Sequence, residues 1–390
     1  MCNVFRCIIG FVGLGVLAST SSLRPVSSET VHSDLLLQGP LVATTSLDEN
    51  HILLFDVTTQ QARTLSFGAV PHMLTGFSPD GCEILFTLEQ TPQTYDLFAA
   101  RLDGSSIRQL VFLGPSGARH YRVWEPAWSP VGDRIAFTLI RYYYPPDDDP
   151  YRESHIAWVP PEGGAPQFYS TSGQEWQPRW SPDGRLLAYV SEQPVLPPDQ
   201  SGELSEEDRD ALPKKAEIWV LHSDESTIYR LVSIGDGAVY NPRWSPYGDT
   251  IAFVYEPVGN LHHIMLIPAD GSSRPVSQNQ ALITVLDFDW HPDGRGLAVA
   301  AQGIQDIPQN ALWFFSNREI RSIGDQQMPL FVDYPRYGPD GRWLAFRSAY
   351  ELTVYDAQQN RVHGFGPDSY NNNPPVWSPA GFQGEAACLP

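Results

Sequence analysis

Seven times along this chain one short motif returns: an aromatic residue, then Ser, Gly or His, then Pro, one variable residue and Gly. The copies are Phe77-Ser78-Pro79-Asp80-Gly81, Trp128-Ser129-Pro130-Val131-Gly132, Trp180-Ser181-Pro182-Asp183-Gly184, Trp244-Ser245-Pro246-Tyr247-Gly248, Trp290-His291-Pro292-Asp293-Gly294, Tyr337-Gly338-Pro339-Asp340-Gly341 and Trp377-Ser378-Pro379-Ala380-Gly381. Pro sets φ for the first corner of a β-turn, and Gly supplies a positive φ at little steric cost. Three residues beyond each of the first six glycines an apolar triplet begins, such as Ile135-Ala136-Phe137, Leu187-Ala188-Tyr189 or Leu344-Ala345-Phe346. The aromatic ends one strand, the triplet starts the next, and the small middle residue permits close approach of a neighbouring layer. Recurrence every 40 to 64 residues marks one supersecondary unit stacked many times.

Each hairpin is followed by a third strand-like run, at Tyr95–Ala100, His155–Val159, Glu217–Leu221, His262–Ile267, Ala311–Phe315 and Leu352–Tyr355. A polar turn and a short fourth run then follow, as at Thr227–Val232 and Arg361–Gly364. Four antiparallel strands per unit make a propeller blade. At the N-terminal side, Gly39–Thr44, His51–Val57 and Ala62–Phe67 supply a second, third and fourth strand but no first. At the C-terminal side, Pro375–Ser378 is a first strand without partners. Pairing the two closes the ring and removes both open edges. The expected fold is therefore all-β, a seven-bladed β-propeller of four-stranded antiparallel blades closed by its N- and C-terminal strands, with six blades as the alternative. The propeller domain spans 35–390, and the tail after Gly381 has no strand character.

The string Trp-Ser-Pro-Asp-Gly-Arg-Leu-Leu-Ala-Tyr at 180–189 and its six relatives resemble the WD-like propeller repeat of the TolB family. The same repeat occurs in the propeller domains of prolyl-oligopeptidase-type enzymes. The resemblance covers roughly residues 35–381. TolB carries an α/β domain ahead of a six-bladed propeller, whereas 19–34 reads here as a linker. The resemblance thus implies a TolB-like repeat, and a place in TolB's envelope complex does not follow from it.

A net charge of −20, from 45 Asp and Glu against 25 Lys and Arg, with no basic cluster, excludes nucleic acid and disfavours anionic membrane surfaces. Arg6 followed by the apolar run Ile8–Ala18, with small residues at Val16-x-Ala18, fits a signal peptide over 1–18. The run is short for a membrane span, so a membrane is met only if this segment stays uncleaved. The expected location is the periplasm or the extracellular space, and the expected state a monomer. Cys82 and Cys388 would remain after cleavage; two separate thiols is the favoured expectation, with pairing as the alternative.

The Ser-Pro-x-Gly turns occupy one face of a propeller, and the loops between second and third strands occupy the other. Both long insertions fall on that second face. One is Arg141–Tyr151, with Tyr142, Tyr143, Tyr144 and Tyr151; its neighbour is the acidic arm from about Gln193 to Lys215. Aromatic loops on a rigid scaffold favour a partner contact, while the acidic arm reads more readily as a solvated insertion. Just before the last six motifs sit Trp124-Glu125, Trp176-Gln177, Tyr240-Asn241, Leu286-Asp287, Asp333-Tyr334 and Asn373-Pro374, at the mouth of the central channel. They either hold a peptide or sugar there or pack between blades. For Arg179, Arg243, Arg336 and Asp289 an internal ion-pair network is the better reading. No catalytic residue, metal ligand or cofactor is indicated: Gly114-Pro115-Ser116-Gly117-Ala118 lacks the last Gly of a nucleophile elbow, and His-Glu-x-x-His, Cys-x-x-Cys and a phosphate loop are absent. Three consecutive Asp at 147–149 lack the alternate spacing of a calcium loop. The leading expectation is an exported, non-catalytic binding or scaffold protein with a protein or peptide partner. The alternative is a metal-dependent, lyase-like propeller enzyme acting on polysaccharide, since oligogalacturonate lyases resemble this architecture and bind metal through His from several blades.

Overall fold

The computed structural model describes residues 36–45, 51–67, 71–91, 94–113, 119–144, 151–169, 173–194, 214–234, 237–257, 262–279, 284–302, 311–316, 319–323, 331–348, 351–364 and 373–388. The expected signal segment 1–18 and linker 19–34 lie outside them. The described chain is almost wholly antiparallel β, and no helix in it is long and apolar enough to cross a membrane.

The first unit is a meander of β1 (Leu41–Thr45), β2 (His51–Asp56) and β3 (Gln61–Ser66). The free edge of β1 is taken by β28 (Val376–Trp377), with Val42 opposite Trp377 and Ala43 opposite Val376. Leu41 N donates to Ser378 Oγ at 3.0 Å and Ser378 N to Leu41 O at 2.8 Å. The pairing expected of the first and last strands is therefore present.

Next come β4 (Pro71–Phe77), β5 (Glu83–Thr91), β6 (Thr94–Arg101) and β7 (Ile107–Val111), then β8 (Arg119–Trp128), β9 (Ile135–Tyr143), β10 (Tyr151–Val159) and β11 (Gln167–Phe168). These eight strands form one sheet, whose two halves are joined by a parallel bridge between Tyr95 of β6 and Arg122 of β8. Four-stranded sheets follow in sequence order. They are β12 (Glu175–Trp180) with β13 (Leu186–Pro194), β14 (Lys214–His222) and β15 (Ile228–Ser233), then β16 (Gly237–Trp244) with β17 (Thr250–Pro257), β18 (His263–Pro268) and β19 (Val276–Ser277). The last two are β20 (Thr284–Trp290), β21 (Leu297–Gln302), β22 (Ala311–Phe315) and β23 (Ile320–Ser322), and β24 (Val332–Tyr337), β25 (Trp343–Ser348), β26 (Glu351–Asp356) and β27 (Arg361–Gly364). The first strands touch in a closed circuit, β4 to β8, β12, β16, β20, β24, β28 and back to β4.

The core lies between neighbouring units. Ala188, Val190, Ile218 and Val220 of one unit pack with Val239, Ile251 and Phe253 of the next. The middle residues Ala136, Ala188, Ala252, Ala298 and Ala345 are all fully buried, as close approach requires. The motif tryptophans add a polar tie. Trp180 Nε1 donates to Ala127 O (3.2 Å), Trp244 to Arg179 O (2.9 Å), Trp290 to Arg243 O (3.1 Å) and Trp377 to Arg336 O (2.9 Å). Each indole reaches the carbonyl that precedes the motif aromatic of the unit before it.

Two expectations are corrected. Cys82 and Cys388 are not separate thiols: they form a disulfide with Cα atoms 5.2 Å apart across 306 residues. The tail after Gly381 is also placed, as a 3-10 turn at Glu385–Cys388. Glu385 is buried there, accepts from Leu37 N at 3.1 Å and pairs with Arg63, while Arg101 donates to Cys388 O. A segment without strand periodicity gave no way to locate Cys388, and its anchor is this buried ion pair. The second correction concerns Arg141–Tyr151. It is not all loop, because β9 runs through Tyr143 and β10 begins at Tyr151; only 145–150 lie outside the described residues.

Candidate functional site

Four first strands, β8, β12, β16 and β24, break register at one shared place, while β4 and β20 shift elsewhere. The ladder jumps from Trp124 to Ala127, Trp176 to Arg179, Tyr240 to Arg243 and Asp333 to Arg336. Each jump contains an X-Pro pair whose first residue is left-handed: Glu125 (φ 46°), Gln177 (56°), Asn241 (55°) and Tyr334 (52°). The prolines 126, 178, 242 and 335 have no N–H to give the ladder, so a bulge costs no donor. A non-glycine residue held left-handed costs of order 1–3 kcal/mol, and persists because the ladder resumes on both sides.

The side chains at these bulges relay from unit to unit. Arg179 pairs with Glu125 at 3.3 Å. Asn241 N donates to Gln177 Oε1 at 2.6 Å, and Asn241 Nδ2 to Asp287 Oδ1 at 2.7 Å. Asp287 also holds Arg243 at 3.1 Å and Arg336 at 2.7 Å, while Arg243 reaches Asp289 at 3.3 Å. Burial pushes the Asp287 carboxyl upward, but the two guanidiniums of Arg336 and Arg243 hold it below its ordinary value. For Asp289 burial prevails over the same two cations, and its carboxyl is raised. Glu125, Gln177, Asn241 and Asp287 thus serve an internal network, the arrangement expected for the arginines. Tyr334 lies under the guanidinium of Arg347 at 4.9 Å. The Tyr240 hydroxyl is 3.4 Å from His262 Nδ1; burial, then Glu256, pushes it up to about 12.

Trp124, Tyr142 and Trp176 meet in a cavity of about 310 Å³. Strand alternation explains its composition: Thr138, Ile140 and Tyr142 of β9 share one face. Opposite them stand Trp124 and Arg122 of β8, and Ser154 and Arg152 of β10. Gln174, Trp176 and Glu192 of the next unit complete the lining. Arg122 lies 5.1 Å above the Tyr95 ring and 4.9 Å above Tyr142, and His72 sits 5.8 Å from the Trp124 ring. The hydroxyl of Thr138, a residue 1% exposed, and the indole N–H of Trp176 have no hydrogen-bond partner among the described residues.

Trp124, Tyr142 and Trp176 are thus brought together. Tyr143 points to the opposite face, its hydroxyl 3.5 Å from Glu153. Tyr144 is 39% exposed beside His120, and Tyr151 pairs with Tyr143 through the backbone, its side chain lying outside the described residues. The acidic segment 195–213 and Asp147–Asp149 also lie outside them. His155 is buried between Glu153 (3.5 Å) and Glu175 (3.9 Å), and no group of three or more His, Cys, Asp or Glu among the described residues could hold a metal. Sequence reasoning missed Arg122, Thr138, Arg152, Ser154, Gln174 and Glu192. Continuing the period-2 pattern of β9 beyond Ile140 would have put Tyr142 in line with Thr138.

No family model matches the chain. It is 24% identical to the uncharacterized peptidase YuxL of Bacillus subtilis over 226 residues, which is 57% of this chain and 29% of that one. It is 31% identical to the uncharacterized protein Atu1656 of Agrobacterium fabrum over 126 residues, 30% of this chain and 39% of that one. The chain spans well under half the length of both relatives. Among solved structures, a puromycin-hydrolyzing peptidase of Mycobacterium tuberculosis matches with a TM-score of 0.58 and 14% identity, over 84% of this chain and 53% of that one. An oligogalacturonate lyase in complex with manganese matches with a TM-score of 0.53 and 14% identity, over 84% and 85%. TolB from Acinetobacter baumannii is also a neighbour, with a TM-score of 0.48 and 14% identity, over 88% and 67%. What the first two structures share with this chain is the propeller fold alone.

Proposed function

Starting from a β-propeller fold, we propose that this chain is an exported, non-catalytic binding protein whose seven four-stranded units close as seven blades. Its protein or peptide partner docks on the face at which β9 ends and β10 begins. The circuit of first strands and the β28–β1 pairing support the blade count. One observation carries the binding reading: Trp124, Tyr142 and Trp176, from consecutive units, wall one cavity with two buried donors that have no acceptor among the described residues. Each such donor costs roughly 1–3 kcal/mol, a cost that a ligand's oxygen atoms would offset. Large rings with few rotatable bonds are also the usual anchors of an interface.

The test is capture of a partner from the native source by the wild-type chain and by a Trp124→Ala/Trp176→Ala variant of unchanged melting temperature. A partner held by the first and lost by the second supports the reading; equal retention puts the binding surface elsewhere. Export is supported by the Cys82–Cys388 bridge, since structural disulfides persist outside a reducing cytosol. N-terminal sequencing of protein from the native source should find cleavage near Ala18-Ser19. A second reading, a metal-dependent enzyme acting on polysaccharide, is favoured by the fold shared with the manganese-bound lyase and by aromatic walls that suit sugar rings. Stoichiometric manganese, zinc or calcium in the purified protein would favour it.

A further inference from the structure

The cavity between the β8–β9–β10 face and the β12–β13 unit is lined by two guanidiniums among neutral hydrogen-bonding groups. Arg122 and Arg152 both line it, with the Trp176 indole, the hydroxyls of Thr138 and Ser154 and the Gln174 amide. Against them stands, among the described residues, a single lining carboxylate, Glu192. In a chain with a net charge of −20, the fields of two guanidiniums meet at this one pocket. The apolar surfaces of Trp124, Ile140 and Trp176 strengthen that field by excluding water. Arg122 is already held between the rings of Tyr95 and Tyr142, so little side-chain freedom remains to be lost on binding. The guanidinium of Arg152 has no ion-pair partner among the described residues. Two further donors, the Thr138 hydroxyl and Trp176 Nε1, are buried at the same site without a partner among the described residues.

We propose that this cavity takes the carboxy-terminal end of a peptide. The terminal carboxylate lies at Arg152 and Arg122, the preceding carbonyl oxygens accept from Trp176 Nε1 and Thr138 Oγ1, and an apolar terminal side chain fills the space between Trp124, Ile140 and Trp176. The inference rests on the reading of this face as a peptide-binding surface and narrows it to one kind of peptide. A terminus fits better than the middle of a chain for two reasons. An internal peptide bond is neutral and leaves two guanidiniums without a counter-charge, whereas a terminal carboxylate supplies one. The volume, about 310 Å³, is also at the lower end of ligand sites, which run roughly 300–1,000 Å³, and suits an end rather than a threaded segment. Guanidinium forks are the side chains best matched to a carboxylate.

The experiment measures fluorescence polarisation of the full chain with short labelled peptides sharing one Gly-Ser body. They end in phenylalanine, leucine or lysine, each made as the free acid and as the amide. The free acids ending in phenylalanine or leucine should bind about ten-fold or more tighter than their amides, the scale of a charge-assisted hydrogen bond. Arg152→Gln should collapse that ratio toward one with an unchanged melting temperature. Thr138→Val should weaken acid and amide alike and leave the ratio intact. Equal binding of acid and amide overturns the carboxylate inference while the peptide reading stands. Binding of a short oligouronate with no binding of any peptide overturns both.

Discussion

Single residues in this propeller differ in what their burial does. Asp96 on β6 is 1% exposed and receives the Gln109 amide at 2.7 Å. Burial pushes its carboxyl up to about 6 from 3.8, against the hydrogen bonds from Leu113 and Gln109. The folded state therefore holds a proton that the unfolded chain has already lost between those two values. Stability falls as pH rises through that window, by up to ~3 kcal/mol above it. Asp96→Asn should stabilise the protein, with a larger gain in melting temperature at pH 8 than at pH 5; an equal gain at both would show that Asp96 is not the titrating group. Asp287 is the opposite case, a buried carboxylate on which Arg243 and Arg336 converge. Asp287→Ala leaves two guanidiniums without their common partner and should cost about 3–5 kcal/mol in denaturant unfolding. A loss under ~1 kcal/mol would mean that water or Asp289 replaces it.

Among the elements, what could be read from the sequence was whatever has a local rule. The Pro and Gly of the motif announce turns, and Gly81, Gly132, Gly184, Gly248, Gly294, Gly341 and Gly381 all have φ between 68° and 86°. Trp124 and Trp176 could be singled out because they stand at fixed offsets from a motif. The bulges were legible in principle, since prolines 126, 178, 242 and 335 all lie two residues before a motif aromatic. The contents of the cavity were not, because they depend on how far β9 and β10 run and on how the next unit abuts them. A run of Tyr, Pro and Asp carries turn and strand signals together. The strand assignment also divides Tyr142 from Tyr143. Tyr142→Ala should weaken binding of a captured partner by roughly 2 kcal/mol or more, the scale of an interface anchor. Tyr143→Ala, on the far face, should change it little; equal losses would mean that the hairpin tip, rather than the cavity, makes the contact.

At the scale of the whole molecule, closure has three independent supports: two strand pairs between β1 and β28, the Trp377 indole on Arg336 O, and the Cys82–Cys388 bridge. Phe382 adds a fourth contact, lying where a Cβ on Gly81 would come within 2.5 Å of its ring. Removing the bridge alone, by Cys388→Ser, should cost about 2–5 kcal/mol. Deleting 371–390 removes these contacts together with the Glu385–Arg63 ion pair and exposes the β1 edge, so its loss should be greater and accompanied by aggregation. If the deletion melts no lower than Cys388→Ser, the terminal strand contributes nothing to closure. The bridge has a mechanical consequence as well. Tension applied at residues 36 and 388 passes from Cys82 to Cys388 through sulfur, and the chain between them carries none of it. At ~3.6 Å per residue, an oxidised molecule held in an optical trap could lengthen by only the 46 residues from 36 to 82, about 165 Å, whereas the reduced chain would pay out roughly 1,270 Å.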